Sequence, residues 1–490
     1  MYDSAHLGHA RTYILFDTIR RVLRETFNKE VIFAMNITDV DDKILKRSKD
    51  LKISAKTLAR KYENEFFEDL YILGVEKPTI TPRATNYIPE MIQFLGKLKD
   101  FTYSTSDGSL YLDTKKANEF VDYPGQLGHG MHITGEESAS STIEKRNLAD
   151  FALWKGRNEN QEELNWDASP TCGIGRPGWH LECSVMIDST LGKIQGDGTI
   201  DIHGGGIDLC FPHHANERLQ SQLALLQRQN SSYHNPKDKK EWSSIFCHTG
   251  HLTLGDTKMS KSLGNSSTIR QVFESKKLTP RQLRLLFLSL TKYSANMEWN
   301  EGSIERVKAL DNLFEDVLST QYASEKNIHQ AKEEFTEEDI AFVRNISGIR
   351  QSILEAFADD FDFPAVFDQL QKLSKELKRR KTLPRNNVGL DKNAETLLLS
   401  TLEVMGFGGV SGVKPCYGYS KTAPSTTLAN ENDILDLLVR FRSKIREAAK
   451  SGDLKAVLKE CDLLRNENPF VSITDSKDGS SLWKRKQPLV

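Results

Sequence analysis

Along the chain, apolar positions recur in two rhythms. Ile14, Leu15, Ile19 and Leu23 fall on one helical face, so residues 12–27 are expected to form a helix leaving the turn His6-Leu7-Gly8-His9. The run Val31–Met35 within "VIFAMNITDVDDKIL" (31–45) reads as a buried strand entering a polar turn and another helix. Residues 53–100 read mostly as amphipathic helix. "FTYSTSDGSLYLDT" (101–114) alternates and carries Asp107-Gly108, a hairpin signal. "DFALWK" (150–155) and "TIDIHGGGIDL" (199–209) read as core strands, and the second closes on three glycines where backbone can approach a ligand. From about residue 303 the spacing turns helical almost throughout, as in Leu310, Leu313, Phe314 and Val317.

Polar stretches punctuate this pattern. Residues 124–146 read as a surface loop, 228–242 as a polar insertion, and 382–430 as a linker before helices at 432–465. An α/β front half is therefore expected to join a helical back half. With 490 residues the chain is long enough for two to four domains with an ample core.

Charge changes this picture little. The formal net charge is −2, so bulk basicity does not advertise a nucleic-acid partner, and any such contact must come from local patches. Taken singly, the clusters Lys237-Asp238-Lys239-Lys240, Lys378-Arg379-Arg380-Lys381 and Lys484-Arg485-Lys486 read as solvated surface. The six cysteines, Cys172, Cys183, Cys210, Cys247, Cys416 and Cys461, lack framework spacing, which fits a reducing compartment with thiols free or on a metal. The sequence holds no apolar run of membrane-spanning length.

Two motifs carry chemistry. His6-Leu7-Gly8-His9 is placed at a helix start, where free amides and the positive dipole end attract phosphate. Its imidazoles could grip the same oxygens, and Gly8 would let a nucleotide lie against the backbone. Alone, two histidines three apart are more often plain surface residues. "KMSKSLGN" (258–265) is more specific: Lys258 and Lys261, in a Ser/Gly-rich loop, can swing onto a triphosphate and neutralise charge building at the α-phosphorus. The pairing of the two motifs, about 250 residues apart, argues against an idle basic loop.

Together these motifs resemble the signature pair of class I aminoacyl-tRNA synthetases. "HLGHARTYILFDTIRR", "NITDVDDKIL", "DFALWK", "GRPGWHLECS", "DIHGGGIDLCFPHHANE" and "KMSKSLGN" narrow the resemblance to the cysteinyl-tRNA synthetase family, most densely over residues 2–45 and 150–300. "ADDFDFPAVF" (358–367) and "DSKDGSSLW" (475–483) extend it. The resemblance implies a Rossmann-like parallel-sheet catalytic domain with a connective insertion, followed by an α-helical anticodon-binding domain. The implied division is 1–84 and 150–265 for the catalytic halves, 85–149 for the acceptor-end insertion, 266–302 for a stem-contact linker and 303–490 for the helical domain.

The implied activity is ATP-dependent formation of cysteinyl-adenylate and transfer of cysteine to tRNA(Cys), in the cytoplasm. Partners would be L-cysteine, ATP with Mg²⁺, and tRNA. His6, His9, Lys258 and Lys261 would do the charge work. Gly8, Gly204, Gly205, Gly206 and Asp208 would cradle the nucleotide, and Thr38, Trp179 and His180 would line the amino-acid pocket.

A hydrophobic pocket separates cysteine from serine or alanine by only about 1–3 kcal/mol. A Zn²⁺ ion, which takes thiolate in preference to hydroxyl, resolves this. By the resemblance Cys183, His213 and Glu217 are its ligands; His213 and Glu217 are four apart and share a helical face. His214 is expected to point elsewhere, Cys210 and Cys172 to be core thiols, and Ala215 to lie off the ligand face. In the family a further ligand cysteine sits in a segment ending just before Tyr2. The sequence is therefore expected to be truncated, lacking that cysteine and the first sheet strand. Two rival readings are a related ligase that transfers cysteine to an amino-sugar and a catalytically silent RNA-binding protein.

Overall fold

The computed structural model describes residues 2–123, 144–157, 164–228, 240–255, 257–258, 267–319, 335–381, 383 and 387–407, together with scattered positions from 441 onward and the backbone of 471–475 and 481–485. Two compact units divide it, residues 1–418 and 419–490.

In the first unit the opening helix, α1 (Leu7–Arg21), starts inside the histidine motif, five residues before the expected start, and continues as a π turn over Val22–Thr26. His6 is the reason. Its Nδ1 accepts from the Gly8 amide at 3.1 Å and the His9 amide at 3.4 Å, while His9 Nδ1 accepts from the His6 amide. These bonds satisfy orphan donors of the first turn as a Ser/Glu capping box does. The inward face presents Leu7, Ala10, Ile14, Leu15 and Ile19 to the core.

The same helix carries two ionic groups into that core. Arg11 (1% exposed) donates to the carbonyls of Gly250 (2.6 Å), His251 (2.9 Å) and Ala295 (2.6 Å). Asp17 (1% exposed) meets Arg20 at 2.8 Å, Arg21 at 2.9 Å and Arg284 at 2.9 Å, and accepts the Glu76 amide.

Residues 31–37 depart from the expected strand. They are extended but join residues 80–83 only through parallel bridges at Ala34–Ile80 and Ile37–Arg83, and Ile32 is 38% exposed. Pro78 and Pro82 have no amide to donate, which limits a ladder along that segment. The helix after the polar turn is α2 (Asp42–Leu51), capped by Asp41. The helical reading of 53–100 holds for α3 (Ala55–Ile72) and α4 (Ile88–Lys97) but not between them. There Gly74 takes φ +70°, and Pro78 and Pro82 follow before α4 begins.

Asp107-Gly108 closes a hairpin between β1 (Thr102–Ser104) and β2 (Leu110–Leu112). Strands β3 (Phe151–Gly156), β4 (Trp166–Asp167) and β5 (Ile174–Pro177) complete the same antiparallel sheet, ordered β1-β2-β3-β5-β4, so one sheet crosses residue 150. The Rossmann-like element is β6 (Ile200–Gly206), lying parallel to β7 (Ser243–Thr249). Between them in sequence lies helix α6 (Ala215–Arg228), while α5 (Trp179–Ile187) precedes β6. A small sheet, β10-β8-β9, is built from Leu252–Leu254 (β8), Thr257–Lys258 (β9) and Met297–Glu298 (β10). Most of the loop expected at 124–146, and most of the insertion expected at 228–242, lie outside the described residues.

Helices α7 (Ile269–Glu274), α8 (Pro280–Ser289), α9 (Glu301–Ser319), α10 (Glu337–Ala358), α11 (Phe363–Arg380) and α12 (Val388–Leu402) follow. They share one apolar core with α1, from Leu7 through Phe287, Phe314, Phe363 and Leu398 to Phe407. Helix α12 corrects the linker expected over 382–430. Asn387 caps it, and Leu390, Ala394, Leu397, Leu398 and Leu402 form its buried stripe, a periodicity masked by the polar composition around it. In the second unit, β11 (Val471–Asp475) and β12 (Ser481–Arg485) form a hairpin beyond the helices expected at 432–465. Alternation in "VSITD" and the Asp478-Gly479 pair are the sequence signals for it.

The triple glycine has a packing cause. A Cβ on Gly204 would come within 2.5 Å of the Phe16 ring on α1, and one on Gly205 within 2.9 Å of Leu209 and 3.0 Å of His214. Gly204→Ala is thus expected to destabilise the first unit by about 1–3 kcal/mol, as overpacking does, measured by denaturant unfolding.

Candidate functional site

Helix α5 delivers three side chains to one place. Trp179, His180 and Cys183 fall in its first turn and a half, behind the N-cap Gly178. A Cβ on Gly178 would meet the Ala152 carbonyl at 2.0 Å, so glycine lets α5 start hard against β3. Across from α5, a kinked π turn over Cys210–His214 leads into α6 and brings His213 and Glu217 to the same point.

The sequence-assigned residues meet there. Cys183 Sγ, a His213 ring nitrogen and a Glu217 carboxylate oxygen lie within 4.8 Å of one another, and all three residues are buried. Glu217 Oε1 stands 2.7 Å from His213 Nε2. Although fully buried, Oε1 has no aligned hydrogen-bond donor. His213 turns its other nitrogen, Nδ1, to His180 Nδ1 at 2.9 Å, and Trp179 stacks on its ring at 3.9 Å. The two pocket residues expected from sequence thus fix the ring of an expected ligand. His180 is packed in turn by Phe151, and Gln220 donates to its carbonyl and to Ser184. Asn36 donates to Cys183 Sγ at 3.3 Å, and Thr38 lies two residues further along the same extended segment.

Burial pushes the Cys183 thiol well above its ordinary range, and the negative charge of Glu217 adds to that. For Glu217 burial acts in the same direction, but His213 and His203 outweigh it and hold the carboxyl well below the usual carboxylate range. A buried anion beside a buried thiol and imidazole is costly unless a cation balances it. The thiol, imidazole and carboxylate donors, one oxygen lacking an aligned hydrogen-bond donor among them, fit a borderline-soft divalent ion such as Zn²⁺. Cys172 and Cys210 join neither convergent group; burial pushes Cys172 up to about 11.

His214 stands partly apart, as expected: its Nδ1 meets His248 Nε2 at 2.8 Å. It nevertheless converges with His203 on the other side of Glu217. Sequence reasoning missed His203, His248 and Asn36. The available signal was the position of His203 on β6, directly before the glycines.

At the other motif His6 and His9 stack with ring centroids 3.8 Å apart. Because His6 Nδ1 accepts two amides, the neutral ring carries its proton on Nε2. Gly8 is crowded by the His6 ring, 2.9 Å from where a Cβ would stand. His6 also bridges Thr268, just beyond the lysine loop, and the Leu7 amide donates to the Ser267 carbonyl at 3.2 Å. That places the stem of the lysine loop beside the histidine motif. Lys258 contributes its backbone to β9, whereas Lys261 lies outside the described residues. Asp208 is exposed and folds back over Gly206.

Comparison with known proteins identifies the family. Residues 1–309 match the catalytic domain of the tRNA synthetases class I (C) family. The cytoplasmic cysteine–tRNA ligase of Dictyostelium discoideum is 34% identical over 99% of this chain and 72% of its own length. A probable mitochondrial cysteine–tRNA ligase of Xenopus tropicalis is 35% identical over 92% of this chain and 74% of its own. Among solved structures, a Mycobacterium tuberculosis methionyl-tRNA synthetase in complex with methionyl-adenylate shares the fold at a TM-score of 0.55 and 15% identity, covering 86% of this chain and 96% of that one. Among the described residues no helix is long and apolar enough to cross a membrane. With a matching catalytic domain and relatives this similar along nearly all of its length, the chain belongs to the cysteine–tRNA ligases, class I aminoacyl-tRNA synthetases.

Proposed function

We propose that this chain activates L-cysteine with ATP, forming cysteinyl-adenylate and pyrophosphate, and transfers the cysteinyl group to the terminal ribose of tRNA(Cys), releasing AMP. The observation that carries the reading is the meeting of Cys183, His213 and Glu217 behind Trp179 and His180. Those three residues would hold Zn²⁺, which supplies a soft Lewis acid that takes the substrate sulfur in preference to a hydroxyl oxygen. Trp179 and His180 orient the His213 ring and wall the pocket, and Thr38 lines its mouth.

His6 and His9 face the phosphates with ring N–H donors at the start of α1, where the amide ends and dipole favour anions. Gly8, Gly204, Gly205, Gly206 and Asp208 form the nucleotide bed. Mg²⁺ accompanies ATP, and Lys258 and Lys261 close on the triphosphate to offset charge in the transition state. No protein nucleophile is required, so the acceleration comes from positioning and electrostatics. The helices after residue 303 would meet the anticodon arm and the 85–149 segment the acceptor end, through Lys and Arg on phosphates. The reading places the enzyme in the cytoplasm, the compartment of the Dictyostelium discoideum relative, while the Xenopus tropicalis relative is named as mitochondrial.

Cysteine-dependent ATP–pyrophosphate exchange, followed by charging of tRNA(Cys), tests the reading. Exchange without charging would point to a non-tRNA acceptor, and no exchange from folded protein would overturn the reading. Lys261→Ala is expected to lower kcat of the exchange by about 10²–10³-fold, the usual loss of one charge-stabilising donor, with a smaller change in KM.

A further inference from the structure

Glu217 uses its two carboxylate oxygens differently. Oε1 stands 2.7 Å from His213 Nε2, without an aligned donor. Oε2 is 2.6 Å from His203 Nε2, in hydrogen-bond geometry. His203 is on β6, a different element from those that carry Cys183, His213 and Glu217. The parallel ladder sets it opposite Phe246 of β7. Its ring is wedged edge-on against Trp242 (5.3 Å, 61°) and Phe246 (5.7 Å, 88°) and lies 4.2 Å from His214. Three aromatic neighbours therefore fix its plane, and the side chain that it holds is 1% exposed.

From this division we infer that His203 is a positioning residue for the metal site. It donates Nε2–H to Glu217 Oε2, locks the carboxylate rotamer, and leaves Oε1 turned toward His213. The inference rests on the metal site proposed above and adds what orients its carboxylate donor. Outer partners of this kind typically change metal affinity by about 10–100-fold. His203, His214 and Glu217 also converge closely enough to be considered as a second cation site. Hydrogen-bond geometry at Oε2, which the Oε1 contact with His213 lacks, favours the positioning role.

Two substitutions separate donor from shape. His203→Phe keeps a ring between Trp242 and Phe246 but removes the donor, while His203→Gln restores an N–H of similar reach without the ring. Zn²⁺ affinity of the full chain is measured by chelator competition, with stoichiometry by elemental analysis and the ligand-field spectrum of the Co²⁺-loaded protein as a second readout. The expected result is one ion per wild-type chain, affinity weakened about 10–100-fold in His203→Phe with an altered Co²⁺ spectrum, and recovery to within about threefold in His203→Gln. Thermal melts of the metal-free proteins check that each variant is folded. Unchanged affinity in a folded His203→Phe would overturn the inference, as would two ions in the wild type and one in the variant. A wild-type chain that binds no Zn²⁺ would instead remove the site on which the inference stands.

Discussion

Cys183→Ala is expected to cut kcat/KM for cysteine in ATP–pyrophosphate exchange by about 10⁴-fold, the size of penalty seen when a site built around one polar contact loses it. The substitution removes the soft donor of the convergent group while deleting little volume, since Cys183 is 5% exposed and held by Asn36 from one side. A second effect is more diagnostic than the rate. Without the ion, discrimination between cysteine and serine should fall to the roughly 10–200-fold that an apolar pocket provides. Relative kcat/KM for the two amino acids, measured on the same preparation, gives that ratio. A variant that still rejected serine as strongly as the parent would show that selectivity does not come from metal coordination.

The second large effect concerns stability. Asp17→Asn leaves the guanidiniums of Arg20, Arg21 and Arg284 facing an amide in the middle of the core shared by α1 and the later helices. Breaking a buried ionic cluster by removing one partner costs about 3–5 kcal/mol. The loss should be read as a lower denaturation midpoint with an unchanged m-value. The pH dependence follows from the direction of the shift. Burial raises the Asp17 carboxyl pKa, but Arg284, Arg21 and Arg20 overcome it, and the net direction is down. A group depressed in the folded state contributes stability above its unfolded pKa, about 3.9 for Asp, and loses it as the pH falls toward the folded value. The parent should therefore lose stability below about pH 4 more steeply than Asp17→Asn does. Parallel acid titrations of the two proteins check this, and equal slopes below about pH 4 would contradict it.

Much of this was legible in the sequence because it rests on local chemistry. Helix periodicity gave α1 and the helices after residue 303, and Asp107-Gly108 gave the β1–β2 hairpin. Cys183, His213 and Glu217, chosen by family resemblance, are brought together in space, and the i, i+4 spacing of His213 and Glu217 survives the kink before α6. What the sequence hid was non-local. The glycines after His203 mark a place where a ligand can approach, but the carboxylate 14 residues on that its ring meets is set by the parallel ladder with β7. The use of His6 as a helix cap was also hidden, since histidine is not among the usual capping residues. The extended segment 31–37 is apolar enough for a strand, but pairing depends on its neighbours, and the segment beside it carries two prolines. Helix α12 was obscured because composition was averaged across a region whose apolar stripe is short.

Selectivity for cysteine depends most on the substrate sulfur reaching the ion that Cys183, His213 and Glu217 would hold. X-ray absorption at the zinc edge, recorded on the zinc-loaded full chain with and without L-cysteine, tests that contact directly. One additional sulfur neighbour on adding cysteine, with none on adding L-serine, is the predicted result. An identical sulfur count with and without cysteine would contradict it.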